Sequence, residues 1–176
     1  LQISPIINAG RGATEGFAIT AKEYGQAMTE LFDVWFEDAS EKVIVVDPLE
    51  EMVGGLVFKN TKTCTYTGSC RNTFLAVDPS GRIYPCSRFN GDAFCMGNIE
   101  DEGIEGALSS PMQELLLRRQ ERVLPGCEPC EYKPICNGGC LHNAVTGTGD
   151  VFGRDPYCEG YKKLYDHIKT RVEKEL

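Results

Sequence analysis

The chain has 176 residues, of which 41% are hydrophobic, so it is long enough for one domain or two small ones with a packed core. Its net charge of −8, from 26 acidic and 18 basic residues, argues against nonspecific binding to nucleic acid or to an anionic membrane surface. No apolar run approaches the roughly 20 residues of a membrane helix, and the start LQISPIINAG lacks the basic region of a signal peptide. We therefore expect a cytoplasmic protein without nucleic-acid or membrane partners.

Residues 1–60 have the pattern of an α/β structure. Residues 3–7 and 42–46 are predicted strands, and GRGATEG after the first of them misses the G-x-G-x-x-G spacing at Glu15, which predicts a flexible turn. Thr20 and Glu23 form a capping box at the start of a helix. Its apolar face comprises Tyr24, Met28, Leu31, Phe32, Trp35 and Phe36. The order strand, helix, strand predicts the last units of a parallel α/β structure. Because the chain also begins without Met, we expect it to be a piece of a longer polypeptide.

Residues 61–176 form a second predicted domain, since every cysteine lies at or after Cys64. Residues 73–77 and 82–84 are predicted to form a β-hairpin around the turn Asp78-Pro79-Ser80-Gly81. Ser110 and Pro111 begin a predicted helix. Residues 100–105 and 121–158 are predicted loops. A final helix buries Tyr161, Leu164, Tyr165, Ile168 and Val172.

Nine cysteines make up the candidate functional site: Cys64, Cys70, Cys86, Cys95, Cys127, Cys130, Cys136, Cys140 and Cys158. The number is odd and no secretory signal is present, which favours metal binding over a disulfide framework. Thiolates bind zinc or iron–sulfur clusters. Only five residues separate the pair Cys127–Cys130 from the pair Cys136–Cys140, which is short for two zinc knuckles. The spacing favours clusters and leaves zinc as the alternative.

The spacing of seven of these cysteines resembles the signature of a known family. Cys70, ten residues, Gly81, four residues and Cys86 match its first half, and Cys127-x2-Cys130-x5-Cys136-x3-Cys140 with the later Cys158 matches its second half. The pattern resembles the SPASM domain, the C-terminal extension of radical SAM enzymes that modify peptides and proteins. Cys64, separated from Cys70 by five residues, resembles an additional ligand of the sulfatase-maturase-like members.

The resemblance implies an α+β fold, with the remnant of a partial α/β barrel at residues 1–60 and a SPASM domain at residues 61–176. It also implies two auxiliary 4Fe-4S clusters for electron relay and for shaping the substrate site. The first cluster would be bound by Cys64, Cys70, Cys86 and Cys140, and the second by Cys127, Cys130, Cys136 and Cys158. Full coordination by four thiolates favours electron transfer or a structural role over direct binding of substrate.

The motif C-x3-C-x2-C that binds the AdoMet-cleaving cluster of radical SAM enzymes is absent, because Asn143 stands where Cys136-x3-Cys140 would require a third cysteine. The resemblance therefore places S-adenosylmethionine and a third 4Fe-4S cluster in an upstream barrel. The chain alone is not expected to start radical chemistry. The implied partners are that barrel, a peptide or protein substrate, and a redox protein such as ferredoxin or flavodoxin.

Three functions remain open at this stage. The first is oxidation or thioether or carbon–carbon crosslinking of a ribosomally made peptide. The second is sulfatase maturation, although Ser87 stands where that branch has an aspartate directly after the third ligand, and Asp92 lies five residues further on. The third is a zinc-stabilised interaction module without a redox role. A stand-alone ferredoxin would not require the α/β segment.

Several other residues could act near the cysteines. Arg82, Tyr84, Arg88 and Asn90 flank Cys86 and are candidates for contacting substrate or tuning a cluster. His142 and His167 are predicted to be surface histidines. Cys95 is predicted to be a small buried hydrophobic residue.

Overall fold

The computed structural model describes residues 1–38, 44–70 and 74–175. Its helices, in chain order, are α1 (Arg11–Thr14), α2 (Ala21–Asp38), α3 (Leu49–Phe58), α4 (Cys64–Thr67), α5 (Gly103–Leu108), α6 (Pro111–Glu121), α7 (Lys133–Cys136), α8 (Leu141–Thr148) and α9 (Cys158–Glu175). Strands β1 (Ala76–Val77), β2 (Arg82–Tyr84) and β3 (Gly97–Asn98) form an antiparallel sheet in the order β1-β2-β3. The fold is thus mainly helical with one small sheet.

Helix α2 begins at the predicted capping box. The Thr20 amide donates to Glu23 Oε2 at 2.7 Å, and the Glu23 amide donates to Thr20 Oγ1 at 3.2 Å. Tyr24, Met28 and Phe32 are buried, as the helical periodicity predicts. Among the described residues, no helix has both the length and the apolar character needed to cross a membrane.

Helices α2 and α9 pack against each other at a pair of glycines. A Cβ on Gly25 would lie 2.8 Å from the Gly160 Cα, and a Cβ on Gly160 would lie 2.4 Å from the Ala21 carbonyl oxygen. The close approach brings aromatic rings together beside it, with the Tyr24 and Tyr161 ring centroids 5.9 Å apart in an edge-to-face arrangement. This packing fixes α9, and with it Cys158 at its first position.

We expect Gly160→Ala to destabilise the protein by about 2 kcal/mol, because the added methyl group meets backbone atoms that cannot move aside. Gly54→Ala in α3 is the matched control, since a Cβ there has no heavy atom within 4 Å. It should stabilise the protein by up to about 1 kcal/mol through helix propensity. Urea unfolding under anaerobic conditions measures both. Equal free energies of unfolding for the two variants would contradict the claim that close packing at Gly160 excludes a methyl group.

The N-terminal segment differs from the prediction. No strand forms at residues 3–7, and one parallel bridge, Gln2 with Asp47, takes its place. Pro5 lacks an amide hydrogen, which limits strand pairing there. Residues 39–43 lie outside the described part of the chain, so the predicted strand at 42–46 is described only from residue 44, and residues 44–46 are not in a strand. The predicted flexible turn in GRGATEG forms the single-turn helix α1.

The hairpin is confirmed at β2, which occupies residues 82–84 as predicted. In the described residues β1 covers only Ala76–Val77, and residue 73 lies outside them. Asp78 stabilises the turn, since its Oδ1 accepts from the Ser80 amide at 2.8 Å and from the Arg82 amide at 3.0 Å. Strand β3 pairs with β2 and was not predicted.

Helices α6 and α9 are confirmed, and Ser110 caps α6 by accepting from the Gln113 amide at 3.2 Å. Two predicted loops are wrong in part. Residues 121–158 include α8, and the acidic stretch 100–105 enters α5 at Gly103. Burial of Leu141 and Ala144 explains α8, because tertiary packing stabilises a short helix whose local sequence is unremarkable.

Candidate functional site

Four of the predicted ligands line one large cavity, which we call site I. They are Cys64, Cys70, Cys86 and Cys140. The cavity has a volume of about 630 Å³ and is also bordered by Ser87, Arg88 and His142. Cys64 begins α4, and Cys86 follows the hairpin. The cysteines of site I therefore come from four separate segments that the fold brings together.

The other four predicted ligands line a second, narrow cavity, which we call site II. They are Cys127, Cys130, Cys136 and Cys158. Its volume is only about 20 Å³, and tyrosine rings, including those of Tyr161 and Tyr165, form part of its wall. The four cysteines of site II thus share one narrow space lined in part by tyrosines.

The turn at 136–140 directs neighbouring cysteines to different sites. Asn137, Gly138 and Gly139 have φ values of 51°, 82° and 75°, so three successive residues are left-handed. Such a sequence reverses the chain, which points Cys136 toward site II and Cys140 toward site I. The Asn137 side chain fixes this turn to α4 by donating to the Tyr66 carbonyl oxygen at 2.7 Å.

A buried carboxylate connects the two sites. Asp155 is 1% exposed, and its Oδ2 accepts from the Cys140 amide at 2.9 Å, from Asn143 Nδ2 at 2.9 Å and from the Tyr161 hydroxyl at 3.1 Å. Burial raises the pKa of Asp155, and these hydrogen bonds oppose that rise. Its carbonyl oxygen accepts from the Cys158 amide at 3.0 Å. Asp155 thus positions one cysteine of each site, a role that the sequence did not reveal.

Arg88 contacts a site I sulfur directly. Its Nη1 donates to Cys140 Sγ at 3.2 Å, and its Nη2 donates to Asn143 Oδ1 at 2.7 Å. Since Asn143 also donates to Asp155, the guanidinium is held by a chain of hydrogen bonds. The predicted role of Arg88 near the cysteines agrees with this position.

Burial raises the pKa of several site cysteines. It is the largest cause that raises the pKa of Cys70 to about 11 and that of Cys136 to about 12. Neighbouring cysteines of the same site, when charged, raise these pKa values further. Cys140 and Cys64 act on Cys70, and Cys158 and Cys127 act on Cys136. A metal that binds here must therefore displace protons.

The donors that line both sites are thiols, which suit iron–sulfur clusters or zinc. No three histidine, cysteine or acidic side chains within the described ranges are close enough to hold one metal ion. In a cubane cluster each thiolate binds a different iron, so the sulfurs lie farther apart than around zinc. Eight thiols in two groups of four are the donors that two four-thiolate clusters would require.

The residues that flank Cys86 in the sequence lie in different environments. Ser87 is exposed and borders site I. Asp92 forms an ion pair with Arg82 at 2.6 Å, and it is absent from the described residues that line site I. The Tyr84 hydroxyl donates to Asp78 at 3.3 Å, and the buried Tyr84 side chain belongs to the apolar cluster that includes Cys70, Cys86 and Cys95. Asn90 is exposed.

Both histidines are less exposed than predicted. His142 packs edge-to-face on Phe89, with ring centroids 5.0 Å apart, and burial lowers its pKa. His167 is 2.7 Å from Asp33 Oδ1 between α9 and α2. Cys95 packs among apolar side chains, as predicted, but it is only half-buried, and its thiol donates to the Gly97 carbonyl oxygen at 3.5 Å.

Part of the chain matches a known protein family, and most of it aligns with known enzymes. Residues 58–131 match the SPASM family, an iron-sulfur cluster-binding domain. A Cysteine-type anaerobic sulfatase-maturating enzyme of Clostridium perfringens is 22% identical over 157 residues, which are 89% of this chain and 42% of that protein. A PqqA peptide cyclase of Rhizobium meliloti is 30% identical over 141 residues, which are 77% of this chain and 36% of that protein.

The fold matches that of solved structures. Native anSMEcpe with bound AdoMet aligns with a TM-score of 0.79 at 20% identity, over 97% of this chain and 46% of that one. The chain spans less than half the length of the curated relatives it matches. The predicted resemblance to the C-terminal part of a radical SAM/SPASM enzyme is confirmed.

Proposed function

We propose that this chain is the auxiliary-cluster portion of a radical SAM/SPASM enzyme that modifies a peptide or protein. The observation that carries the proposal is that each set of four cysteines lines its own cavity. We assign one 4Fe-4S cluster to site I and one to site II. When bound, such clusters supply one-electron redox chemistry. Four thiolates for each cluster leave no iron open to substrate.

The two sites differ in their access to other molecules. Site I is a large cavity whose border includes the exposed residues Ser87 and Arg88, whereas site II is narrow and enclosed by tyrosines. We therefore place the substrate near site I. The side chain of Arg88 would hold Cys140 and present its remaining donors to a peptide carbonyl or carboxylate. Site II would exchange electrons with a protein such as ferredoxin or flavodoxin.

Two kinds of modification remain as candidates. Sulfatase maturation is favoured by relatives that are aligned over most of this chain, including a Serine-type anaerobic sulfatase-maturating enzyme of Klebsiella aerogenes over 96% of it. Oxidation or crosslinking of another peptide is favoured by Ser87, because a hydroxyl cannot replace a carboxylate as a proton acceptor near neutral pH. Asp92 does not supply the missing group, since it is bound to Arg82.

Residues 1–60, which include helices α2 and α3, would form the end of an upstream barrel that binds S-adenosylmethionine and a third cluster. The parallel bridge between Gln2 and Asp47 is compatible with that origin. The nine free thiols suit the reducing cytoplasm. A zinc-stabilised module is the remaining alternative, and the match to an iron-sulfur cluster-binding domain argues against it.

The proposal is tested in the longer enzyme that contains this chain and an AdoMet-cleaving barrel. We expect Cys64→Ala and Cys127→Ala each to abolish peptide turnover while reductive cleavage of S-adenosylmethionine continues, because the auxiliary clusters act apart from the cleaving cluster. Cys95→Ala is the control and should keep both reactions. Normal product yield from a folded variant that lacks a site I or site II cluster would contradict the proposal.

A further inference from the structure

One arginine of α6 is buried between the two sites without a carboxylate as hydrogen-bond partner. Arg119 is 8% exposed. Its Nη1 donates to the carbonyl oxygens of Val151 and Gly153, the latter at 2.8 Å, and neither acceptor carries a charge. Its Nη2 is buried and has no hydrogen-bond partner in the part of the chain that the structure describes. A buried cation with an unused donor is costly unless an anion compensates it.

The surroundings of Arg119 indicate where that anion lies. Leu116, one turn earlier on the same face of α6, packs in the apolar cluster that contains Cys70 and Cys86. Arg119 also borders a cavity of about 200 Å³ together with Gly68 and Cys127. The guanidinium is therefore located between the segment that leads to Cys70 and the first cysteine of site II.

The electrostatic effects agree with this position. Burial lowers the pKa of Arg119, and the thiolates of Cys70 and Cys140 oppose that change more strongly than Asp150 and Asp155 do. Arg119 in turn lowers the pKa of Cys127 to a smaller extent than Arg154 does. Cys70 and Cys140 of site I are thus the groups that would act most on Arg119 once they are deprotonated, as metal binding requires.

We propose that Arg119 is a shared counter-charge for the two cluster sites, with the larger effect on site I. The inference rests on the proposed binding of clusters at these cysteines. A cubane cluster with four thiolates is an anion that gains one more negative charge on reduction. A fixed cation nearby stabilises the reduced form more than the oxidised form, and this raises the reduction potential. Its free Nη2 would donate to a cluster or thiolate sulfur.

The test is an anaerobic redox titration of the cluster-loaded chain, followed by EPR. Arg119→Gln removes the charge and keeps a donor toward the carbonyl oxygens. We expect the equilibrium constant for one-electron reduction at site I to fall at least tenfold, which is about 59 mV, with a smaller fall at site II. The variant Cys127→Ala with Cys130→Ala, in which site II lacks two ligands, identifies the signal of site I.

Two further variants separate charge from packing. Arg119→Lys keeps the charge and should restore most of the potential. Arg118→Gln removes an exposed charge one residue earlier, and it should change the potentials little because solvent screens that charge. Unchanged potentials in Arg119→Gln, or an equal shift in Arg119→Lys, would overturn the proposal.

The outcomes also separate this inference from the proposed function. Arg119→Gln could lose its clusters. If Arg119→Lys then keeps its clusters, the counter-charge proposal is supported. If both variants lose their clusters equally, Arg119 has a merely structural role and the proposal is overturned. An unmodified chain that binds no iron and sulfide would instead overturn the proposed function itself. Iron and sulfide contents are therefore measured for the unmodified chain and every variant.

Discussion

Alanine at two cysteines of one site should remove one cluster and leave the other, whereas alanine at one cysteine of each site should damage both. The same-site pairs are Cys70 with Cys86 and Cys127 with Cys130. Each of these two double-alanine variants should retain about four iron and four sulfide per chain, because the four thiolates of the other site are intact. The mixed pair of Cys86 and Cys130 leaves neither site with four thiolates, so no fully coordinated cluster should remain.

Iron and sulfide analysis with EPR of the reduced protein distinguishes these variants. Cys95→Ala is the matched control, since Cys95 is half-buried like most of the ligands but lines neither site among the described residues. It should keep both clusters. A mixed pair that retains one intact cluster, together with a same-site pair that loses both, would mean that the cysteines are grouped differently.

Gly139→Ala should destabilise the protein by about 3 kcal/mol and lower the cluster content of both sites. Gly139 has φ of 75°, and a Cβ there would lie 2.4 Å from the Asp155 Cβ. The left-handed conformation costs an alanine roughly 1 to 2 kcal/mol, and the clash adds roughly 1 to 3 kcal/mol. Because Asp155 positions Cys140 and Cys158, a displaced Asp155 disturbs both sites.

Gly149→Ala isolates the backbone contribution. Gly149 has φ of 73°, nearly that of Gly139, but a Cβ on it has no heavy atom within 4 Å. Its substitution should cost only the left-handed strain, about 1 kcal/mol, and both clusters should remain. Anaerobic urea unfolding and iron analysis compare the two variants. Equal effects would show that the contact between Gly139 and Asp155 is unimportant.

The sequence predicted those parts of the fold that local chemistry determines. The capping box at Thr20, the capped start of α6 at Ser110 and the apolar face of α9 are confirmed because each depends on residues within a few positions of one another. Helix α8 and strand β3 were missed. Both depend on contacts with distant parts of the chain, which a local pattern does not contain.

The candidate site could be predicted only in part for the same reason. Cysteine spacing and family resemblance identified the residues that line the two cavities. Asp155 and Asn143 were missed, because an acidic residue and an amide in a loop-rich segment give no signal of burial. Arg119 did have a signal, since it continues the buried face of Met112 and Leu116 at helical spacing. A charged residue on the apolar face of a helix indicates that a buried polar or oppositely charged group lies near it.

Metal and sulfide content of the chain, purified without oxygen, tests the central claim most directly. Two clusters bound by eight thiolates predict about eight iron and eight sulfide per chain, with a brown colour and an EPR signal on reduction. About two zinc ions and no sulfide would contradict that claim and would instead indicate a structural zinc module.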